Sequence, residues 1–347
     1  MKKGLLITNA FLTGSGGGYG LPGDITGGKS RTASADYSAK FNDLYEWLVK
    51  AAEIYGICLM PHSNAEFLPV YGPEGVKVLC GSKNSIQPDF VLFWDKDVRL
   101  ARAFEAMGIP VFNSACAIEL CDDKSLTLER LSGISYYPEG KEGCGEPCPL
   151  RIPVTIMAPM TFKGRGYKEL YFIDTAEKLL SYPMVIKECF GSFGAQVYLA
   201  RNRAEAEGIV SGLEYPFFFQ EFIGDRSFCG DDALKGTGPG RDIRLQVVGD
   251  RVAASMLRSN NNDFRANITN GGSMEAYKPT QAETELAVTV CKRLGLDFAG
   301  VDILFGTEGP VLCEVNSNAH FKNLYECTGI NIAEHIMRYI KDTIFPS

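Results

Sequence analysis

Three side chains toward the end of the 347-residue chain have the types and spacing to hold a hard cation: Asp302 in AGVDIL, then Glu314 and Asn316 in CEVNSN. Glu314 and Asn316 are two apart, so on a strand they project to one face. If GVDIL and VLCEVN pair as neighbouring strands, Asp302 joins them there. Three converging oxygen ligands, with room for waters and phosphate oxygens, are what Mg needs when it bridges a nucleotide. The plainer alternative is the solvated face of a sheet edge. Against it, the three alternate with Val301, Ile303, Leu312 and Val315 in segments apolar enough to be buried, and buried carboxylates need compensating cations.

A matching cation lies upstream. Lys187 sits inside the apolar segment VIKEC, just before Phe190-Gly191-Ser192-Phe193-Gly194. A lone ammonium is costly in such a strand, and the small residues that follow let backbone N–H groups approach phosphate oxygens. A glycine turn between strands is by itself only a hairpin. Lysine, glycine turn and downstream acid set together describe a nucleotide clamped between two β layers. A rival phosphate signature, Gly23-Asp24-Ile25-Thr26-Gly27-Gly28-Lys29-Ser30, satisfies the Walker A pattern letter for letter. A true P-loop leaves a buried strand directly and opens a helix at its Lys-Ser. Here the preceding apolar run ends near Leu12 and a polar, glycine-rich stretch intervenes, so the match reads as accidental.

The elements that must position these groups follow from periodicity. GLLITNAFL, PDFVLFW and IPVFN read as buried strands. Between the first two, Phe41, Leu44, Leu48, Ala52 and Tyr55 recur at helical spacing before Gly56. Leu100, Phe104 and Met107 do the same before Gly108, each glycine suiting a C-terminal cap. Strand–helix alternation of this kind implies a parallel sheet covered by helices. A connecting helix, AIELCDDKSLTLERL, leads into a Pro/Gly-rich stretch over 133–153. From Tyr182 the texture is β-rich: YPMVIKECF, AQVYLA, YPFFFQEFI and, after a glycine-rich segment, DIRLQVVGDRVAASMLR. Thr280 and Glu283 have capping-box spacing ahead of a helix whose buried face is Leu286, Val290 and Leu294. GVDILFG and PVLCEVNSN then form an antiparallel pair, and NIAEHIMRYIKD a last helix.

Length and composition bound the function. At roughly 150 residues per domain the chain predicts two or three domains, and 45% hydrophobic content excludes disorder. No apolar run approaches the roughly 18 residues of a membrane span, and MKKGLLITNAFLTG lacks a signal-peptide cleavage pattern. A net charge of −7, from 35 basic and 42 acidic residues, argues against a nucleic-acid partner. The expectation is a soluble, cytoplasmic protein with no membrane or nucleic-acid partner. Its 11 cysteines read as free thiols in a reducing compartment. Cys116, Cys121, Cys144 and Cys148 could form a zinc knuckle, but the Cys116/Cys121 spacing is loose for one.

Taken in order, VIK, the glycine loop, FFQEFI, DIR, LR, DFRANITNGG, GVDIL, CEVNSN and TGINIAEHI resemble the ATP-grasp superfamily, closest to the RimK-type alpha-L-glutamate ligases. The resemblance runs from about Lys124 to the C-terminus, and the strand–helix opening fits the small domain that precedes the grasp fold. It implies an α/β (α+β) architecture: an N-terminal parallel α/β domain over 1–115, a central grasp subdomain over 116–223 with an insertion at 134–150, and a C-terminal grasp subdomain over 224–347. It also implies roles. Lys124 and Lys187 would hold the ATP phosphates, with Gly191, Ser192 and Gly194 in the loop over them. Gln220, Glu221 and Ile223 would form the linker beside adenine. Arg244, Arg258 and Asn267 would face the transferred phosphoryl group, and Asp302, Glu314 and Asn316 would carry two Mg ions, with Mn able to substitute.

That inventory implies an ATP-dependent carboxylate–amine ligase, enzymatic and acting through an acyl-phosphate, on amino acid or peptide-like substrates. Glycine-bordered segments 191–194 and 224–240 would be lids. Self-association is left open. A non-catalytic ATP-binding sensor or partner protein is the alternative. The chain departs from RimK-type ligases after the metal-binding asparagine, where Ser317-Asn318-Ala319-His320-Phe321 replaces a small-Pro-Gly turn. His320 is there either a base for the attacking amine or a wall residue, while His62 and His335 read as structural.

Overall fold

The computed structural model describes residues 2–9, 31–81, 84–85, 87–138, 146–160, 170–191, 194–224, 240–266 and 271–346. The chain runs β1 (Lys2–Thr8), α1 (Arg31–Ile54), β2 (Ile57–Ser63), β3 (Phe67–Gly72), β4 (Gly75–Cys80), β5 (Asn84–Ser85), β6 (Phe90–Trp94), α2 (Val98–Ala106), β7 (Val111–Phe112) and α3 (Ala115–Asp122). It continues with α4 (Lys124–Leu131), β8 (Ser135–Tyr136), β9 (Cys148–Pro149), β10 (Thr155–Met157), α5 (Tyr171–Leu180), β11 (Met184–Glu188), β12 (Val197–Ala200), α6 (Arg203–Ser211) and β13 (Phe217–Glu221). It closes with β14 (Gly240–Val248), β15 (Arg251–Asn260), β16 (Ser273–Ala276), α7 (Gln281–Leu294), β17 (Phe298–Gly306), β18 (Gly309–Asn316), α8 (Lys322–Thr328) and α9 (Ile332–Ile344). These residues form two compact units. One comprises 1–119, 295–299 and 317–347, the other 120–294 and 300–316.

In the first unit, β2-β1-β6-β7 form a wholly parallel sheet. Strand–helix alternation had predicted that arrangement, because parallel neighbours require a crossover. Leu5, Leu6, Ile7, Phe90, Val91 and Leu92 are fully buried, as a sheet covered on both faces demands. Leu44, Leu48 and Ala52 are the buried face of α1, and Gly56 at φ +69° follows it. β1 ends at Thr8, short of the predicted Leu12, and the Walker-like stretch 23–30 lies outside the described residues. The sequence reading missed β2 and the antiparallel β3–β4–β5 sheet. Pro61 and His62 interrupt the apolar run of β2, while β3 and β4 are mostly exposed and carry no strong alternation. Asn113, fully buried, ties the later chain into this unit. Its amide donates to the carbonyls of Phe298 at 2.9 Å and Ser317 at 2.8 Å, and its Oδ1 accepts from Asp297 N at 2.7 Å.

The second unit carries two sheets, β10-β13-β11-β12 and β16-β15-β14-β17-β18. In the first, β11 is flanked by antiparallel β12 and β13. One face packs on α5 and α6 through Ile173, Ala176, Ile186, Phe217 and Phe219. In the second, α7 covers the side of β14 that carries Ile243 and Leu245. The predicted capping box starts α7. Thr280 N donates to Glu283 Oε2 at 2.7 Å, and Glu283 N to Thr280 Oγ1 at 3.3 Å. The predicted single connecting helix is instead two, because the Asp123 side chain accepts Ser125 N–H at 2.8 Å and caps a new helix. A short polar side chain preceding a helix satisfies donors that the first turn leaves orphaned.

Candidate active site

The cap at Asp123 places Lys124 on the first turn of α4. Its N–H donates to Cys189 O at 2.9 Å, and its Nζ donates to Gly191 O at 3.1 Å and stands 3.8 Å from Glu314 Oε1. Lys187 projects from β11 and is 8% exposed. Among the described residues its ammonium makes no hydrogen bond or ion pair. Lys124, Lys187, Gln220, Leu312, Cys313 and Glu314 line one cavity of ≈ 20 Å³, the room of about one water. Burial pushes the Cys313 thiol up to about 11, so it stays neutral beside the lysine.

Val185 shares the Lys187 face of β11 by the two-residue period. Leu199 opposes it on β12, and both pack with Phe222, with Val197 and Phe264 at the edge. The cation therefore adjoins an apolar patch of the kind a purine covers. Gln220 Nε2 donates to Thr155 Oγ1 at 3.0 Å, and Glu221 N to Val154 O at 2.8 Å, which holds the 220–223 linker against β10. Ile223 follows, half-buried. The glycine loop is fixed at its ends. Gly191 has φ +136°, with a Cβ there 2.3 Å from Gln196 Oε1. Gly194 O accepts from Arg265 Nη1 at 2.8 Å. Ser192 lies outside the described residues.

The second sheet gathers the acids and arginines. Asp302 on β17 is the register partner of Glu314 on β18, and Gly300 that of Asn316. Directly opposed residues of an antiparallel pair share a face, so Asp302 and Glu314 project from one face of the β17–β18 ribbon, the face that Asn316 shares two residues on. Asp302 is 3% exposed. Arg244 grips it with Nε to Oδ1 at 2.7 Å and Nη2 to Oδ2 at 2.7 Å, and Arg258 Nη2 adds a contact to Oδ2 at 2.9 Å. Arg258 in turn is bidentate to Asp242, at 2.6 Å for both bonds. Asp242 and Arg258 are register partners on β14 and β15.

Burial by itself would raise both aspartates. Arg244 and Arg258 nonetheless hold the Asp302 carboxyl below its ordinary value, while Asp242, buried and repelled by Asp302, lies above its own. Two cations and two anions leave this array neutral, the condition for burying it. The sequence reading missed Asp242 although it stands two residues from Arg244 in DIR. Its role needed the β14–β15 register. Gln246, two further along the same face, was missed as well. It is 1% exposed with neither amide atom hydrogen-bonded among the described residues. Asn267 lies outside the described residues, as do Cys144 and most of the segment 224–240. Cys121 is buried while Cys116 and Cys148 are exposed. His320, in the other unit, accepts Lys322 N–H at Nδ1 at 3.4 Å.

The Asp302 carboxylate has about four lone-pair positions. The three arginine contacts use three of them, which leaves one on Oδ1 for a cation without breaking either guanidinium contact. The register-paired Glu314 supplies further oxygen. Residues of this kind fit Mg–phosphate: hard oxygens on one side, Lys124 and the buried Lys187 on the other.

Two β-sheets, two lysines that precede a glycine loop, and an acid pair on a β ribbon are the features of the ATP-grasp fold. The chain belongs to the RimK-like ATP-grasp family, whose model matches residues 153–340, and is thus a member of the ATP-dependent carboxylate–amine ligases that work through an acyl-phosphate. It is 34% identical over 249 residues to a probable alpha-L-glutamate ligase 2 of Shewanella amazonensis, covering 71% of each chain. Among solved structures it resembles a RimK domain ATP-grasp protein of Sphaerobacter thermophilus, with a TM-score of 0.60, 20% identity, and 98% and 99% of the two chains covered. It also resembles the ATP-grasp ligase PsnB complexed with minimal precursor, Mg and ADP, with a TM-score of 0.59, 14% identity and 98% of each chain covered.

Proposed function

We propose that the protein joins the carboxylate of an amino acid or peptide to an amine, using ATP and Mg and releasing ADP and phosphate. The observation that carries this reading is the buried array Asp242–Arg258–Asp302–Arg244 on the sheet that also presents Glu314. It is a preorganised field at which a phosphoryl group can be transferred. Bound there, Mg–ATP would supply the phosphoryl group and neutralise its developing charge. Lys124 and Lys187 hold the phosphates, and the 220–223 linker and the Val185–Leu199–Phe222 patch hold the base. Asp302, Glu314 and Asn316 serve the metal, with two ions and Mn as a substitute. Asn267 belongs beside the transferred group, and Ser192 with Gly191 and Gly194 in the covering loop.

A free carboxylate acylates poorly because oxide would have to leave. Phosphorylating it makes phosphate the leaving group, and the amine then attacks the acyl carbon, losing a proton as the amide forms. Arg244 and Arg258 face the charge that builds. The cavity between Lys187 and Glu314 is too small for a nucleotide, so its entry parts these side chains. We assign the chain to the cytoplasm with small-molecule or peptide partners rather than nucleic acid or membrane. No helix among the described residues is long and apolar enough to cross a bilayer. We retain the division into 1–115, 116–223 and 224–347 as the functional one. PsnB, solved with minimal precursor, Mg and ADP, and the relative named a probable alpha-L-glutamate ligase support a substrate of this class.

The test is product analysis with Mg–ATP and pooled amino acids, dipeptides and small carboxylates, with Glu314→Ala as control. ADP formed only when acid and amine are both present supports the reading, and dividing the pool names the substrates. AMP as the nucleotide product overturns the acyl-phosphate route.

A further inference from the structure

Apart from the ligase residues, the N-terminal unit itself brings together an imidazole, a carboxylate and a thiol. His62 is the penultimate residue of β2, Glu66 lies on the 3₁₀ turn Asn64–Glu66, and Cys80 ends β4. One donor atom from each lies within 4.8 Å of the others. We propose that His62, Glu66 and Cys80 form a binding site for a zinc-class divalent metal, with the fourth position left to water.

The geometry is set by backbone features and not by chance meeting of flexible side chains. The Ser63 capping box fixes Glu66, because Ser63 N–H donates to Oε1 at 2.8 Å. That contact turns Oε2 toward His62 Nδ1, 3.0 Å away. The Phe67 ring stands edge-on to the imidazole with centroids 5.5 Å apart and limits its rotation. Cys80 is the register partner of Phe67, and the next residue, Gly81, donates its N–H to Glu66 O at 2.9 Å, which pins the thiol-bearing strand end to the turn. In a tetrahedral zinc site with bonds of about 2.0 to 2.3 Å, donor atoms sit about 3.3 to 3.8 Å apart. These three reach that spacing with small side-chain rotations. The His62 and Glu66 side chains are 25% and 49% exposed, so an ion can enter.

Thiolate and imidazole select zinc and its borderline-soft neighbours over Mg, so this site would stay distinct from the nucleotide's Mg. Binding moves the thiol proton to solvent and changes no oxidation state. The metal would clip the end of a parallel-sheet strand to the β3–β4 hairpin. The bland account is an exposed His–Glu ion pair beside a bystander thiol.

The experiment uses the full chain, stripped with chelator and kept reduced, in excess Mg. Zinc affinity is measured by competition with a chromophoric chelator, and cobalt is added as a spectroscopic probe. Wild type should bind one ion more tightly than Cys80→Ser or His62→Ala by at least about tenfold, the scale on which ligand-shell changes act. The cobalt form should show a thiolate charge-transfer band that Cys80→Ser removes, and zinc should raise the Tm of wild type only. Glu66→Gln serves if either variant fails to fold. Equal zinc affinity in wild type and variants, or no thiolate band with cobalt, overturns the proposal. Neither readout depends on ligase turnover.

Discussion

Arg244 holds Asp302 through two parallel contacts of 2.7 Å, one to each carboxylate oxygen, from the neighbouring strand of the same sheet. This is the fork geometry that makes guanidinium–carboxylate pairs strong and directional. It fixes the orientation of an acid whose remaining lone pair faces the proposed metal. Because Arg258 binds both Asp302 and Asp242, a change at Asp302 removes one anion from a buried set of four charges. Asp302→Asn should therefore lose ligase turnover and also destabilise the protein by about 3 to 5 kcal/mol, the usual effect of breaking a buried pair. Urea unfolding alongside ADP release separates the two effects. An Asp302→Asn protein of unchanged stability would show that the array is not the buried unit described here.

Lys187→Met keeps the buried stem and removes the charge. In the nucleotide-free protein it should be tolerated, since no described residue pairs with the ammonium. Nucleotide affinity should fall roughly tenfold to a hundredfold, because a hydrogen bond to a charged group contributes about 1.5 to 3 kcal/mol. Titration calorimetry with ADP reads this directly. Lys29→Ala, in the Walker-like stretch, should leave that affinity intact, and the reverse result would reassign the phosphate site.

Gln246 presents a different case. A buried amide with no partner for either atom among the described residues keeps its desolvation penalty, about 1 to 3 kcal/mol per unsatisfied group. Leucine has a similar volume and no such penalty. Gln246→Leu should raise the thermal midpoint of the ligand-free protein, and scanning calorimetry of the two proteins measures it. If stability falls instead, the amide is partnered in solution.

The carboxyl of Asp297 is pushed up to about 6 by burial, although Tyr339 donates to it at 2.9 Å. Its folded value lies above its unfolded one. The native state thus binds a proton that the unfolded chain has released once pH exceeds the ordinary carboxylate value. Stability from this group is complete below that value and is lost as pH rises through about 6. Asp297→Asn should match wild type in denaturant midpoint near pH 4 and exceed it at pH 7.5. Parallel midpoints across that range would place the folded value back at the ordinary one.

Much of the site was legible because local chemistry is written in local patterns. Glu314 and Asn316 share a face by the period of a strand, and Thr280 and Glu283 cap α7 through side chains three residues apart. Lys187 announced itself as a charge among apolar residues. A strand–helix rhythm required a parallel sheet, since parallel strands cannot be joined by a tight turn. The order of the segments from VIK to CEVNSN carried the family.

Other features depended on which strands lie side by side, which no local pattern encodes. Asp242 reads as an ordinary polar residue until the β14–β15 register sets it against Arg258. The break at Asp123 that positions Lys124 reads as continuous helix, because a single local cap that competes with helix propagation leaves the apolar pattern on either side unchanged. The sheet β3–β4–β5 was invisible, its strands short and exposed. His62, Glu66 and Cys80 span a hairpin that only backbone pairing closes. Residue type decided what chemistry was available. The register of the strands decided which residues could perform it together, because contacts between residues far apart in the chain form only when folding brings those strands side by side.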